Sequence, residues 1–237
     1  MDDHSSDFTR SLSRLIRGLS MLFWGLPITL IISIKTAVKD RFELQPLDFF
    51  TPIISSAILL IAIFFIGNFK KSEKKWGVLI DRAKFFGIIN LSLSPFIYWR
   101  LKVPEITAFS VAVWLFFVSN VFFLLILNRI IQQLTMMLPD KTLRLDAKNY
   151  GDLNQYMFLL LLIILFLAYL DNFFKDLPDT VSEFLITVSR FHQWIITVVI
   201  VIPLAMTMAL LWKTRETILT NIFNEACKNN NPSQAQS

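Results

Sequence analysis

The strongest constraint on this sequence is a run of apolar residues at 106–127 that contains no charged side chain. A helix needs about 20 apolar residues to cross the hydrocarbon layer of a bilayer. Several further runs approach that length, and 54% of the 237 residues are hydrophobic. A soluble domain of this size would have too little polar surface to cover such a core. The sequence therefore predicts an all-α fold, that of a polytopic helical membrane protein.

We predict six transmembrane helices that form one domain at residues 19–218. An amphipathic helix at residues 1–18 precedes this domain and lies in the headgroup layer, because its apolar residues and arginines recur at helical spacing. The tail at 219–237 is polar and is predicted to be disordered. The approximate limits of the spans are 19–34, 52–69, 84–101, 106–127, 153–170 and 194–212.

The third predicted span is the most polar of the six. Asn90 and Ser94 are four residues apart and so share one helix face. Pro95 lacks a backbone N–H, which frees a carbonyl near Leu91. One interpretation is a polar pocket or path at this break. The other, which is the more common case, is bonding between packed helices, where Asn and Ser contribute on the order of 1 kcal/mol or less.

The placement of the basic residues predicts that both termini are cytoplasmic. With six spans, the inner segments carry 16 of the 23 lysines and arginines and the outer segments carry 7. If the third span did not cross, this bias would shrink. Topology thus explains the net charge of +5 without a nucleic-acid partner. The densest basic cluster, which could also bind anionic lipid headgroups, comprises Lys70, Lys71, Lys74 and Lys75.

Local signals predict the helix ends on the cytoplasmic side. The fourth helix should continue beyond the membrane to about Met137, before Pro139. Asp140 can cap a short helix, Gly151 can end it, and Asp152 can cap the next one.

Two further patterns concern the membrane surface and helix packing. Tryptophans near the predicted span ends, namely Trp76, Trp99, Trp194 and Trp212, fit an aromatic belt. Two pairs of small residues allow close helix contact within the bundle or with another subunit; they are Ala108 with Ala112 and Ala205 with Ala209.

No pattern in the sequence predicts an enzyme or a cofactor. Motifs for metalloproteases, serine hydrolases and phosphate-binding loops are absent. The two histidines, His4 and His192, lie outside the predicted spans, which argues against haem held by two histidines. No charge lies mid-span, which disfavours an ion-coupled carrier. The single cysteine, Cys227, excludes an intrachain disulfide.

The sequence favours a non-enzymatic membrane protein, an accessory or scaffold subunit of a larger assembly. The alternative is a channel or permease for a small neutral or lipid-like solute, using the break at Asn90, Ser94 and Pro95. A membrane enzyme that uses loop residues such as Asp81, Arg82 or Asp140 has no positive support. Size and charge bias predict a bacterial cytoplasmic (inner) membrane. The expected partners are membrane lipids, other membrane subunits or a second copy of the chain.

Overall fold

The computed structural model describes residues 3–37, 47–69, 74–138, 140–173 and 200–220. Every regular element in these ranges is a helix, so the all-α prediction is confirmed for this part of the chain. The helices are α1 Asp3–Ala37, α2 Leu47–Gly67, α3 Lys74–Leu93, α4 Pro95–Lys102, α5 Thr107–Met136, α6 Lys141–Phe173 and α7 at residues 200–220.

Four helices in the described ranges are long and apolar enough to cross a membrane. Their apolar windows are Arg10–Ile31, Phe49–Gly67, Thr107–Met136 and Lys141–Phe166. They overlap predicted spans one, two, four and five, and they support a membrane protein. Predicted span three corresponds to α3 with α4, and residues 200–212 of predicted span six belong to α7, whereas residues 194–199 lie outside the described residues. Helices α3, α4 and the described part of α7 are not in this group of four.

The first helix buries a single stripe of leucines. Leu15, Leu19, Leu22 and Leu26 are each no more than 2% exposed, and their spacing of four, three and four residues follows one face of a helix. The helix runs without interruption through residue 18. The predicted boundary between an amphipathic segment and the first span therefore lies inside one continuous helix.

Successive long helices run antiparallel, and α3 and α4 both pack against α2 and α5. In each pair, residues later in one helix lie against residues earlier in the next. Between α1 and α2 the close neighbours are Gly18 with Ile66 and Gly25 with Leu59, and between α2 and α3 they are Gly67 with Ile80 and Leu60 with Gly87. Between α3 and α5 they are Gly87 with Phe123 and Asn90 with Asn120. Between α5 and α6 they are Asn128 with Gly151 and Trp114 with Leu165, and between α6 and α7 they are Asp146 with Lys213 and Asn154 with Thr207.

The seventh helix returns to the first and closes the bundle. The ring centroids of Phe23 and Trp212 are 5.3 Å apart. One end of the bundle therefore gathers the beginnings of α1, α3 and α6 and the ends of α2, α5 and α7. This end carries Arg17, Lys75 and Lys141. All three belong to segments that the predicted topology assigns to the cytoplasmic side.

Two of the predicted helix ends are confirmed. Helix α5 ends at Met136, and Asp140 caps α6. The Asp140 carboxylate accepts hydrogen bonds from the backbone amides of Thr142 (2.9 Å) and Leu143 (3.3 Å) and from the Thr142 hydroxyl (2.7 Å). These bonds lower the pKa of Asp140. The bond from the Thr142 hydroxyl has the largest effect, and the bond from the Leu143 amide has the next largest. The stabilisation from this cap is therefore present above the unfolded-state pKa and is lost as pH falls through the folded-state pKa.

Three local predictions are wrong. Gly151 does not end a helix and Asp152 does not cap one, because α6 continues through both residues to Phe173. The lack of a side chain at Gly151 serves close packing against α5 instead. Trp76 does not belong to an aromatic belt, because it is 0% exposed and packs in the main core. Trp99 and Trp212 are 45% and 48% exposed, and Trp194 lies outside the described residues.

Candidate functional site

The break predicted in the third span lies between α3 and α4. Helix α3 ends at Leu93, Ser94 forms a turn, and α4 begins at Pro95. Proline cannot donate a backbone hydrogen bond to the carbonyl of Leu91. The Ser94 hydroxyl, which is fully buried, donates to that carbonyl at 2.8 Å. The polar group freed by Pro95 is thus satisfied within its own helix.

Asn90 connects this break to α5. Its side chain is 4% exposed, and its Nδ2 donates to Asn120 Oδ1 at 3.3 Å. Asn120 Nδ2 in turn donates to the backbone carbonyl of Phe116 at 3.0 Å. Asn90 Oδ1 is buried and has no protein partner. The structure therefore brings Asn90 and Ser94 to the protein interior, where Asn90 joins α3 to α5.

A second set of polar side chains joins α5 to α6 around Gly151. Asn128 is 1% exposed, and its Nδ2 donates to the Gly151 carbonyl at 2.8 Å. Gln132 lies one turn further along α5 and is 6% exposed. A Cβ atom added at Gly151 would lie 1.8 Å from Gln132 Nε2. Only glycine at this position allows the Gln132 side chain to lie against the backbone of α6.

Asn154 continues this polar set to α7. It is fully buried, and its Nδ2 donates to Thr207 Oγ1 at 3.0 Å. The Thr207 hydroxyl donates to the carbonyl of Pro203 at 2.7 Å. We call Asn128, Gln132, Gly151, Asn154 and Thr207 the amide junction, because they join α5, α6 and α7 through side-chain amides.

An ion pair lies beyond the amide junction, toward the basic end of the bundle. Lys213 on α7 bonds Asp146 on α6, and both side chains are partly exposed. The hydrogen bond with Asp146 raises the pKa of Lys213. The guanidinium of Arg215 lies 5.5 Å from the Trp212 ring centroid, a cation–π distance. Charged side chains thus occupy the end of α7, and neutral ones occupy the junction.

The predicted lipid-binding lysines lie at that same basic end, as far as they are described. Lys74 and Lys75 begin α3 and are exposed to the surroundings. Lys70 and Lys71 lie outside the described residues.

The buried polar side chains in the described ranges are all neutral. They are Ser55, Ser56, Asn90, Ser94, Ser119, Asn128, Gln132, Thr135, Asn154, Thr207 and Thr214. No group of three His, Cys, Asp or Glu residues that could hold a metal ion occurs in this part of the chain. The arrangement offers hydrogen bonds between helices and to neutral molecules rather than paired acid and base groups.

The amide junction was not predicted from the sequence, because its residues are neutral and match no functional motif. A signal was present. Asn128 and Gln132 are four residues apart, and Gly151 and Asn154 are three apart, so each pair shares one helix face. Both pairs lie near the basic end of their helices, where polar residues are easily assigned to the membrane surface.

Comparison with known proteins gives no relative. No family model matches the chain, and no curated protein or solved structure matches it either.

Proposed function

We propose that this protein is a non-enzymatic integral membrane protein that serves as an accessory or scaffold subunit of a larger membrane assembly. The neutral character of the described interior supports this role. Buried polar side chains join one helix to another, as Asn90 and Asn154 do, or satisfy their own helix, as Ser94 does. This use of polar groups stabilises a bundle and supplies no acid–base pair.

The observation that carries the proposal is a small-residue face on α7. Ala205 and Ala209 are four residues apart, and both are exposed, so neither is covered by another described helix of the bundle. In membranes, small residues at this spacing allow a second helix to approach the backbone closely. The exposed pair therefore suits a helix of another subunit or of a second copy of the chain.

Enlarging this face is expected to weaken assembly. Changing both Ala205→Leu and Ala209→Leu should reduce the yield of co-purifying chains on the order of tenfold, a loss of about 1.4 kcal/mol of contact energy. The measurement is affinity purification from native membranes in a mild detergent, with cross-linking to record each bound chain. Ile163→Phe, which enlarges another exposed membrane-facing position, is the matched control and should leave the yield unchanged. A wild-type protein that purifies as a strict monomer with no bound chain would refute the scaffold role.

We place the basic end of the bundle in the cytoplasm, with six crossings in a bacterial inner membrane. The clustering of inner-segment basic residues at one end supports this orientation. Lys70, Lys71, Lys74 and Lys75 would then face the anionic lipids of the cytoplasmic leaflet, each contributing roughly 1 kcal/mol. Neither a cofactor nor a nucleic acid forms part of this proposal.

A permease for a small neutral or lipid-like solute is the second candidate, favoured by the buried, unpaired Oδ1 of Asn90. If solute passes at the break before Pro95, combining Asn90→Ala with Ser94→Ala should abolish protein-dependent flux of a neutral solute such as glycerol into liposomes. Ser92→Ala, at an exposed position of the same helix, is the control and should retain flux. Equal flux through wild-type protein and the double variant would remove this site from consideration.

A further inference from the structure

Three atoms of the amide junction are buried without a hydrogen-bond partner. They are Asn128 Oδ1, Gln132 Nε2 and Asn154 Oδ1. A buried polar atom without a partner has lost its hydrogen bonds to water without replacement, and native proteins keep few such atoms. Three around one glycine are therefore an unusual concentration. They indicate a molecule that completes their hydrogen bonds.

The existing bonds fix which atom of each amide remains unpaired. Thr207 Oγ1 donates its only proton to the Pro203 carbonyl, so it must accept from the Nδ2 of Asn154. Asn128 must present Nδ2 to the Gly151 carbonyl, which can only accept. Gln132 Oε1 accepts from Arg129 Nη1 at 3.4 Å. The junction is therefore left with two carbonyl oxygens and one NH₂ group.

The three residues lie at similar heights in the bundle. Asn128 and Gln132 are one turn, about 6 Å, apart along α5, and Asn154 lies about 4.5 Å from Gly151 along α6. Because α5 and α6 run antiparallel, Asn154 lies level with Asn128. Gly151 lies between the levels of Asn128 and Gln132, and its lack of a side chain lets the Gln132 amide lie against the backbone of α6, with Nε2 beside the glycine.

This set of groups selects a neutral ligand. A cation would meet the Gln132 NH₂ donor, and an anion would meet the two carbonyl oxygens. Arg129 is the charged residue that bonds the junction within the described ranges, and it bonds Oε1 of Gln132 rather than the unpaired Nε2. A hydroxyl group donates to a carbonyl oxygen and accepts from an NH₂, and water can satisfy both carbonyls at once.

We propose that the amide junction is a binding site for an uncharged O–H group, supplied by water or by a small polyol, which bridges Asn128, Gln132 and Asn154. The site does not rest on the scaffold role, because a bundle that assembles with other chains and one that does not can each hold it. The bridging group connects α5 to α6 at the point where α6 also bonds α7.

A double-mutant cycle tests whether the three amides share one bridging molecule. Asn128→Leu and Asn154→Leu each remove one hydrogen bond to the bridging molecule. Once the first substitution has weakened the binding of that molecule, the second should cost less stability than it does alone. The unfolding equilibrium constant of the double variant should differ from the additive expectation on the order of tenfold, measured by reversible unfolding in mixed micelles. Asn120→Leu with Asn154→Leu is the control cycle, and it should be additive because Asn120 bonds α3 and not the junction.

Additivity in the Asn128–Asn154 cycle would overturn the proposal. If a leucine variant does not fold, the same cycle with alanine replaces it, and the criterion is unchanged. Repeating the Asn128–Asn154 cycle with and without glycerol in the buffer separates the two sources of the O–H group. A coupling that appears only with glycerol identifies a polyol, and an equal coupling without glycerol identifies water. The scaffold role would fail through the absence of a co-purifying chain, which leaves this cycle unaffected.

Discussion

Replacing Gly151 by valine is expected to separate α5 from α6 and to destabilise the bundle by about 3 kcal/mol, the upper end for an overpacked core. A Cβ at this position would lie 1.8 Å from Nε2, 2.6 Å from Cδ and 2.9 Å from Cγ of Gln132. The whole Gln132 side chain would therefore have to leave, and rotation of its end would not suffice. The measurement is the free energy of unfolding in mixed micelles.

The Gly151 prediction has both a rescue and a control. Gly151→Ala should also be destabilising, and adding Gln132→Ala should restore most of the loss because it removes the clashing atoms. Gly77→Ala is the control, since a Cβ there meets nothing within 4 Å. In the interior of α3 that change should raise stability by up to about 1 kcal/mol. If Gly151→Ala stabilised the protein as Gly77→Ala does, α5 and α6 would not be in close contact.

Replacing Gly18 by leucine is expected to have a comparable effect on the contact between α1 and α2, again about 3 kcal/mol. An added Cβ would lie 2.7 Å from Ile66 Cγ1, 3.0 Å from the carbonyl oxygen of Ala62 and 3.2 Å from the backbone nitrogen of Ile66. Two of these three atoms belong to the backbone of α2. They cannot rotate away, so the two helices must move apart.

The response to rescue should distinguish Gly18 from Gly151. Ile66→Ala removes the side-chain clash with residue 18 and leaves the backbone contacts in place. Ile66→Ala also opens a cavity, because Ile66 is fully buried, so each single variant is the reference for its double variant. Gly18→Ala added to Ile66→Ala should still be destabilising, whereas Gly151→Ala added to Gln132→Ala should cost little; unfolding measurements on the single and double variants test this difference. No added cost of Gly18→Ala in the Ile66→Ala background would mean that the helix backbones are further apart than described.

Much of the break in the third span follows from local sequence. Pro95 must leave the Leu91 carbonyl without its usual donor, wherever the helix packs. Ser94 is near enough in sequence to satisfy that carbonyl, and it does so. The partner of Asn90 could not be predicted in the same way. Asn120 is 30 residues away, and only the antiparallel packing of α3 against α5 brings the two amides together.

The sequence by itself determined the helical class, the long apolar helices, the end of α5 at Met136 and the cap at Asp140. These depend on hydrophobic length and on hydrogen bonds within a few residues, which are local properties of the chain. Only the tertiary structure decided the roles of Gly151 and Trp76. A glycine suits a helix end as well as a close helix contact, and a tryptophan near a span end suits a lipid interface as well as a core. Which role applies depends on the neighbouring helix, and the amide junction likewise exists only because α5, α6 and α7 meet at one level.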